Sequence, residues 1–482
     1  MVYIFSSMRN LFLLLTSILL ISTSLQGQEK WTLEKCISYA IENNIQVKMQ
    51  DLSTKSSNVA YLKSKMSFLP SLNGSAGQNY ALGRSVDPYT NQFSERNVRS
   101  NNFSISSSVT LFNGLQNVNS LQENYLNLQA SIEDLQKAKN DISLNIASAF
   151  LQILFSDELL YVAQNQVELS KQQTERNRKL YEAGSIAQGN YLEMQSQLAS
   201  DEMQLVTAEN QLVMSYLTLS QLLELGFNDS VEIEKPTIPD PELSLAFPSP
   251  ESIYEEALQK LPQIRSAELK MKSADKGLAV ARGYRSPRLT LTGGFSTMYS
   301  SNSQKVSNIS LGTPVLSGFA DNGTSTPFEV YSYNYNYDYT TPSFNSQLKD
   351  NNSKSISFNL SIPIFNNWQA NYSISAAKIN ALNSKYSYDL AEKQLQKEIQ
   401  QAFADATASL KKYVASKKAV TASQESFRYI QQKFDVGMVN IVDFNLAKNT
   451  LAKTRSELIK AKFEYIFRIK ILDFYRGTPI KL

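Results

Sequence analysis

Side chains able to do acid–base or metal chemistry are scarce in this sequence. Histidine is absent from all 482 residues, and the one cysteine is Cys36. Histidine-based proton transfer, Cys/His metal sites and an intramolecular disulfide are therefore excluded. The pair Glu255–Glu256 could mimic the two carboxylates of a glycoside hydrolase, but its helical context favours a solvent-facing pair. With no nucleophile–base pair or phosphate loop, the sequence predicts no enzyme, no metal site and no cofactor.

Cys36 and the overall charge also limit the possible functions. Cys36 lies in an amphipathic stretch with Leu33, Ile37 and Ala40, which favours a small buried residue over a reactive thiol. Charged residues make up 19% of the chain, and the formal net charge is +3. Because the two signs are interspersed, the sequence predicts no nucleic-acid partner.

The first 27 residues have the pattern of a secretory signal peptide. Arg9 is followed by an apolar run from Leu11 to Ile21 and by small polar residues, and we expect cleavage after Gly27. The apolar run is about eleven residues, shorter than the ~20 that a membrane-spanning helix needs. We therefore expect an exported mature protein with no transmembrane helix and no lipid anchor at the cleavage region.

The longest predicted element is a helix at residues 115–183, which contain no proline or glycine. Apolar residues recur in it with the alternating spacing of three and four that marks a heptad seam: Val118, Leu121, Tyr125, Leu128, Ile132, Leu135, Ile142, Ile146, Ala149 and Ile153. At about 1.5 Å per residue this helix is about 100 Å long, too long for the core of a compact domain. The pattern predicts a rod that packs against other rods.

Short strands with one apolar and one hydroxyl face precede this rod. Phe103, Ile105, Val109 and Leu111 alternate with serine and threonine, which is the two-residue period of a strand. A similar but weaker alternation runs along residues 71–83. The sequence therefore predicts a pair of amphipathic β-strands that leads into the long helix.

The whole plan occurs twice. Ala40, Pro70 and Gly77 match Ala257, Pro287 and Gly294 at an offset of 217, whereas Phe112 and Gly184 match Phe365 and Gly437 at an offset of 253. The larger offset predicts an insertion of about 36 residues in the second hairpin, and the duplication predicts a pseudo-symmetric chain.

The predicted organisation is a signal peptide (1–27), a first repeat (28–226), a proline-rich linker (227–250) and a second repeat (251–482). The first repeat has strands at 71–83 and 102–112 between a leading helix (33–66) and helices at 115–183 and 190–225. The second repeat has a leading helix, strands at 288–299 and 355–365, and helices at 368–436 and 440–475.

Strands of about ten residues are what a tilted transmembrane β-segment requires. Four strands cannot close a barrel, and an open edge in lipid leaves backbone groups without hydrogen bonds. We therefore expect other copies of the chain to complete the barrel, with the hydroxyl faces toward a lumen and the apolar faces toward lipid. Three copies, giving twelve strands, form a reasonable smallest barrel with an aqueous lumen. The alternative is a soluble β-sandwich, which leaves the two matched rods unexplained.

At this point the sequence resembles the TolC-like outer-membrane efflux protein family. The resemblance covers nearly the whole mature chain and is carried by the duplicated plan and by two turn motifs, YEAGSIAQGNYL from Tyr181 and FDVGMVNIVDF from Phe434. The opening WTLEKC from Trp31 is similar to members from Bacteroidetes-type bacteria. The resemblance implies a homotrimer in the outer membrane of a Gram-negative cell, whose 12-stranded β-barrel continues into a periplasmic α-helical barrel.

The resemblance also implies roles for particular residues. The two turns would form periplasmic tips that dock a periplasmic adaptor protein, and the candidate docking residues are Gly184, Ser185, Ile186, Gly437, Met438 and Val439. Asp443 matches a family gate acid, whose ring of carboxylates would bind cations. Asn190 replaces the corresponding acid of the first repeat, and Leu446 stands where a second acid often follows. Asp443 could equally be a helix N-cap, and the two roles are compatible.

The implied function is a passive exit duct for a tripartite efflux pump or a type I secretion system, linked indirectly to an inner-membrane transporter. The alternative is a structural or adhesive coiled-coil surface protein without a conducting pore. The residues 300–354 contain a run of alternating tyrosines from Tyr331 to Tyr339. It could form a girdle, a ligand platform or a lid, but an extracellular loop under little constraint is the favoured interpretation.

Overall fold

A computed structural model describes residues 30–86, 91, 93–94, 97–227, 231–236, 240, 248–321, 323 and 326–481. The predicted signal peptide and part of the predicted linker lie outside these residues. In the first repeat the helices are α1 (Leu33–Asn43), α2 (Ile45–Met66), α3 (Gln116–Glu182) and α4 (Gln188–Leu222), and the strands are β1 (Ser71–Ala81), β2 (Ser85–Val86), β3 (Phe93–Ser94) and β4 (Val98–Phe112). In the second repeat the helices are α5 (Pro250–Lys260), α6 (Pro262–Gly283), α7 (Phe344–Asp350), α8 (Gln369–Asp435) and α9 (Ile441–Tyr475), and the strands are β5 (Arg288–Ser300), β6 (Lys305–Ala320), β7 (Phe328–Thr340) and β8 (Ser353–Ser361).

The helices of the two repeats have equal lengths. Helices α1 and α5 have 11 residues each, α2 and α6 have 22, α3 and α8 have 67, and α4 and α9 have 35. The additional elements of the second repeat, β6, β7 and α7, lie between β5 and β8. The insertion is therefore placed in the second hairpin, where the change of offset predicts it.

Several element boundaries differ from the sequence-based expectation. The helix predicted at 33–66 is broken at Asn44, whose side-chain oxygen accepts hydrogen bonds from the N–H groups of Gln46 (3.0 Å) and Val47 (3.3 Å) and so starts α2 as a new helix. Strand β4 starts at Val98 rather than near 102, because polar residues there still pair with β1. Strand β8 ends at Ser361 rather than 365, because Ser361 pairs with the first residue of β5.

The chain forms two compact units. The helical unit comprises the residues up to Val59, Tyr125–Ser273 and the residues from Leu382 onward. The sheet unit comprises Ala60–Asn124 and Ala274–Ala381.

Two matching cores hold the helical unit together. Cys36, Ile146 and Leu219 are buried in the first core, and the residues at the equivalent positions of the second repeat, Ile253, Ile399 and Leu472, are buried in the second. The prediction that Cys36 is a small buried residue is confirmed, and burial raises the pKa of its thiol to about 12. Within the described residues, α3 alone is long and apolar enough to span a membrane, and 44% of its apolar window is buried in the protein.

The described part of the linker between the repeats contacts the helical unit. Trp31 and Ile233 form a parallel bridge, in which the Trp31 N–H donates to the Glu232 carbonyl oxygen at 2.8 Å. Asp240 accepts hydrogen bonds from Lys462 and Lys417, both at 3.2 Å, and these bonds lower its pKa. The described part of the linker therefore follows the helices at fixed points.

In the sheet unit, four strands form one antiparallel sheet in the order β1-β4-β5-β8. The contact between the two repeats in this sheet is the pairing of β4 with β5, from Ser100 opposite Ser300 to Phe112 opposite Leu289. Strands β6 and β7 form a separate two-stranded ribbon. Residues 300–354, interpreted from the sequence as a loop, are therefore mostly in regular elements, whereas their extracellular position stays a prediction.

Candidate functional site

The four-stranded sheet has two chemically different faces. Residues directly opposite each other share a face, and the register places Ile105 with Phe295 on one face and Ser104 with Ser296 on the other. The apolar face continues through Leu289, Leu291, Ile356, Phe358 and Leu360. The hydroxyl and amide face continues through Ser75, Ser106, Thr290, Thr292, Ser357 and Asn359. A surface of this kind can separate water from a hydrocarbon phase.

The outer strands of this sheet, β1 and β8, have no partner on one side among the described residues. Their apolar side chains are also uncovered, with Leu72 at 75% and Ile356 at 79% exposure. An edge with free N–H and C=O groups beside an apolar face is unstable both in water and in lipid. The sheet in one chain is therefore incomplete.

Helices α3 and α8 end in turns with the same geometry. Gly184 and Gly437 have φ values of 72° and 76°, and the space around each would admit a Cβ, so glycine is needed for its backbone conformation. Ser185 N–H donates to the Leu180 carbonyl at 2.8 Å, and Met438 N–H donates to the Lys433 carbonyl at 2.9 Å. These are Schellman C-caps, which turn the chain into α4 and α9.

The residues of these turns are open to a partner. Gly184, Ser185, Gly437 and Met438 are exposed, and Ile186 and Val439 are half-buried. Arg178 lies near the first turn and bonds Glu175 and Glu182, and its guanidinium lowers the pKa of Glu175 to about 2. The first turn thus combines small and apolar residues with an ion-paired cluster near the end of α3.

Asp443 and Asn190 both lie in the first turn of a return helix and are exposed. The N-cap of α9 is Asn440, whose side-chain oxygen accepts from the Asp443 N–H at 2.8 Å. The interpretation of Asp443 as the N-cap is therefore wrong. Its carboxylate occupies the third helical position, where the helix dipole favours a negative charge.

Aromatic packing and an ion pair hold the two turns together. Phe444 is fully buried and stacks on Phe434 with 4.5 Å between ring centroids, and Met194 from α4 completes this cluster. Arg176 of α3 forms an ion pair with the Asp435 carboxylate and donates to the Asp435 carbonyl oxygen at 3.0 Å. The end of α3 is therefore bonded directly to the end of α8.

A buried polar network lies further along the same helices. Lys448 Nζ lies 2.6 Å from Asp201 Oδ2, and the two side chains are 4% and 0% exposed. Ser170 bonds both groups, and Gln166 and Gln197 each donate to Asp201 Oδ1 at 2.9 Å. Burial lowers the pKa of Lys448, and the hydrogen bond to Asp201 opposes this shift. The network joins α3, α4 and α9.

Neither this network nor the Arg176–Asp435 pair was predicted from the sequence. A signal for the network was present, because Ile441, Phe444, Lys448 and Leu451 follow the spacing of a heptad seam. A lysine at a seam position needs a buried acid nearby, and Asp201 follows buried Met194 by seven residues. No comparable pattern marks Arg176.

Several helices expose apolar stripes at heptad spacing. In α2 the stripe includes Ile45, Leu52, Val59 and Met66, which follow one another at intervals of seven residues and are all more than half exposed. Helix α4 exposes Leu192, Val206 and Val213, and helix α8 exposes Tyr372, Ile379 and Tyr386. Stripes of this kind mark surfaces that pack against further helices.

A groove of about 860 Å³ lies between α3, α8 and α9. Its lining includes Tyr161, Leu169, Phe427, Arg428 and Leu458. Among the described residues, no group of three or more His, Cys, Asp or Glu side chains could hold a metal ion. The described residues thus present surfaces for packing against other helices.

Comparison with known proteins shows similarity to outer-membrane proteins. The model of the family described as outer membrane efflux protein matches residues 36–224 and 253–466. The outer membrane protein TolC of Vibrio cholerae serotype O1 is 22% identical over 335 residues, which are 70% of this chain and 67% of that protein. TolC of Escherichia coli K12 is 22% identical over 357 residues, which are 72% of this chain and 64% of that protein.

The fold is similar to solved outer-membrane channel structures. The crystal structure of the outer membrane protein VceC from Vibrio cholerae has a TM-score of 0.74 and 13% identity, and the alignment covers 93% of this chain and 97% of VceC. At 13% sequence identity, this similarity shows a shared fold and nothing more.

Proposed function

Because this chain belongs to the outer membrane efflux protein family, whose members are outer-membrane channels and not enzymes, we propose that it is the exit duct of a tripartite efflux pump or a type I secretion system. The duct itself is passive. An inner-membrane transporter supplies the energy, and a periplasmic adaptor connects the transporter to the duct.

The observation that carries this proposal is the incomplete sheet with one apolar face and one hydroxyl face. Strands β1 and β8 of neighbouring copies can pair, which satisfies both edges at once. Eight strands make a barrel that side chains fill, so three copies with about twelve strands give the smallest barrel with an aqueous lumen. The hydroxyl face then lines the lumen and the apolar face meets lipid.

The exposed apolar stripes support the same assembly. The stripes on α2, α4 and α8 have heptad spacing, so each fits the seam of another helix. In a homotrimer, helices of adjacent copies would cover them and form a helical barrel in the periplasm. The equal lengths of the paired helices in the two repeats allow such a barrel to close evenly.

We infer that the two helix turns dock the adaptor. Gly184, Ser185 and Ile186 of the first turn match Gly437, Met438 and Val439 of the second. Both turns offer a small exposed patch with an apolar residue at its edge, and the groove between α3, α8 and α9 could extend the contact along the helices. Three copies would present six such turns.

We also infer that Asp443 contributes to a cation-binding constriction. Its carboxylate is exposed in the first turn of α9. Three copies would bring three carboxylates together, and like charges held close to one another bind cations. Asn190 occupies the equivalent turn of α4 without a charge, so the ring would be weaker than one with acids from both repeats.

Single-channel recording in planar lipid bilayers tests the proposed function. The purified protein is expected to give discrete conductance steps, whereas material from a mock purification gives none. A purified, membrane-inserted oligomer without conductance would contradict the proposal and favour the structural or adhesive alternative.

A further inference from the structure

The β6–β7 ribbon is not explained by a channel wall. Its strands pair with each other from Lys305–Thr340 to Ala320–Phe328 and do not join the four-stranded sheet. A two-stranded ribbon is marginally stable by itself in water and needs a covered apolar face. The ribbon therefore requires a partner for one of its faces.

The tyrosines of β7 form one continuous face with aliphatic residues of β6. Each of the five tyrosines is opposite an apolar residue: Tyr331 opposite Leu316, Tyr333 opposite Pro314, Tyr335 opposite Leu311, Tyr337 opposite Ile309 and Tyr339 opposite Val306. We call this surface the tyrosine face. Polar residues occupy most of the other face, with Asn308 opposite Asp338 and Ser310 opposite Asn336.

Three bulges in β6 keep the tyrosine face apolar. They lie between Val306 and Asn308, between Leu311 and Pro314, and between Leu316 and Gly318. Without them the two-residue period would turn some of the aliphatic residues to the polar face. Glycine is needed within the second bulge, because a Cβ on Gly312 would lie 2.9 Å from the Asn334 carbonyl oxygen. The backbone is thus adapted to the composition of this face.

The base of the ribbon is fixed to the end of β5. Gln347 of α7 is buried, accepts from the Ser300 N–H at 3.0 Å and donates to the Ser300 carbonyl oxygen at 3.1 Å. Phe344 packs against Tyr299 with 5.2 Å between ring centroids. Because β5 begins after α6 and ends at this base, the ribbon leaves the sheet at the end opposite α6.

The tyrosine face is exposed and large enough for a stable interface. The five tyrosines are 49–57% exposed. With each ring about half exposed, they and the opposite aliphatic residues present about 800 Å² per copy, which is what one partner contributes to an interface of standard size.

The composition of the face indicates which partner it fits. A sugar needs amide or carboxylate groups beside the rings on which it stacks, but those groups lie mostly on the other face of the ribbon. An anionic lipid surface needs basic residues, and the tyrosine face has none. Its charged residue is Glu329, near the turn, which accepts from the Tyr331 hydroxyl at 2.5 Å. Identical copies could therefore meet on this face with little charge repulsion.

We propose that the tyrosine face is an interface between copies of this chain, in which the three ribbons of a trimer pack against one another at the extracellular mouth. The number of copies and the extracellular position rest on the proposed function. The contact itself rests on the register, the bulges and the uncharged surface. It gives each ribbon the apolar partner that it lacks in one chain.

Thiol cross-linking in intact outer membranes tests this interface. In a Cys36→Ala background, Tyr335→Cys is expected to give cross-linked dimers with a flexible bis-maleimide. Asn336→Cys, the next residue on the opposite face, is the matched control and is expected to give several-fold less. The proposed pairing of β1 with β8 of another copy is tested separately. Its test is a cross-link from Ser75→Cys in β1 to Ser357→Cys, or to the nearby Ser355→Cys, in β8.

Together, the ribbon cross-link and the strand cross-link distinguish a failure of the ribbon interface from a failure of the proposed trimer. Strand cross-links without Tyr335→Cys cross-links would overturn the ribbon interface and leave the proposed channel intact. Absence of both would count against the trimer itself. If Tyr335→Cys reacts with a small maleimide but does not cross-link, the face meets solvent, glycan or lipid, and the inference is again overturned.

A second measurement does not depend on cross-linker geometry. The triple variant Tyr333→Ser, Tyr335→Ser, Tyr337→Ser is expected to lower the temperature at which detergent-resistant trimers dissociate. The matched variant Asn334→Ser, Asn336→Ser on the polar face is expected to leave that temperature unchanged. Equal behaviour of the two variants would contradict the proposal.

Discussion

At the residue scale, the structure decides between roles that the sequence left open for individual side chains. Asp443 had two possible roles, and the hydrogen bond from its N–H to Asn440 assigns the cap to Asn440. Cys36 is buried in the first core, where its raised pKa keeps the thiol neutral at physiological pH. The buried pair Lys448–Asp201 is held by hydrogen bonds with side chains of α3 and α4, including Gln166 and Gln197.

Asp443→Ala is expected to weaken block of the channel by divalent and trivalent cations, because a ring of carboxylates is lost. The measurement is single-channel conductance during cation titration. Asn440→Ser is the control, since serine also caps helices and leaves the acid in place. Unchanged block in Asp443→Ala would show that this carboxylate does not bind cations in the channel.

Lys448→Met is expected to destabilise the protein by roughly 3–5 kcal/mol, because it leaves Asp201 buried without a counter-charge. Thermal unfolding of the detergent-solubilised protein measures the effect. The double variant Lys448→Met, Asp201→Leu is expected to recover most of the loss, since no buried charge remains.

The control for this comparison is Lys137→Ala, which removes an exposed ion pair with the same 2.6 Å distance to Asp141. An exposed i,i+4 pair is worth about 0.3–0.5 kcal/mol. If Lys448→Met and Lys137→Ala have equal effects, the buried network does not stabilise the helical unit.

At the scale of elements, each long helix begins after two residues in the left-handed region. Gly114 and Leu115 have φ values of 66° and 61°, and Asn367 and Trp368 have values of 50° and 66° at the equivalent positions. Non-glycine residues seldom adopt this conformation. Its recurrence in both repeats shows that the corner between strand and helix is a conserved part of the duplicated plan. It directs the start of α3 and of α8.

Ile146→Pro is expected to prevent trimer assembly. Proline in a helix interior costs about 3 kcal/mol, and Ile146 is fully buried in the first core. The measurement is the yield of detergent-resistant trimer. Gln188→Pro is the matched control, because it is the first residue of α4 and follows Ala187 in an extended conformation, where proline is tolerated. Normal trimer yield from Ile146→Pro would contradict the rod model.

At the scale of the whole molecule, the proposed assembly explains why one chain exposes so much apolar surface. The edges of the sheet, the stripes on the helices and the tyrosine face are each incomplete in one copy. A trimer would complete all three with the same chain, so no other subunit is needed to form the duct. The proposed adaptor contact is then left to the helix turns and the groove between α3, α8 and α9.

Adjacent residues on β4 test which face of the sheet meets lipid. Val109→Lys places a charge on the apolar face and is expected to impair membrane insertion, at about 2–4 kcal/mol if the site lies near the bilayer midplane. Ser108→Lys places it on the hydroxyl face and is expected to permit insertion while reducing cation selectivity. The measurements are outer-membrane content and reversal potential. The reverse result would exchange the assignments of lumen and lipid.

By itself the sequence determined the local structure and the duplication. The heptad seam, the two-residue period of the strands, and Gly184 and Gly437 follow from side-chain types at fixed spacing, so they can be read along the chain. The insertion in the second hairpin followed from the change of offset. These features also led to the family, which the comparisons confirmed.

Only the tertiary structure decided which residues from distant segments meet. Pairing of β4 with β5, the contact of Arg176 with Asp435 and the bulged register of β6 each join segments whose spacing along the chain carries no signal. The seam position of Lys448 indicates a buried acid nearby, but the structure decides that this acid is Asp201. The physical reason is that local periodicity fixes the face on which a side chain lies, whereas its partner depends on how separate elements pack. The tyrosine face shows this most clearly. The apolar residues of β6 do not follow a two-residue period in the sequence, and the bulges in the strand bring them to one face.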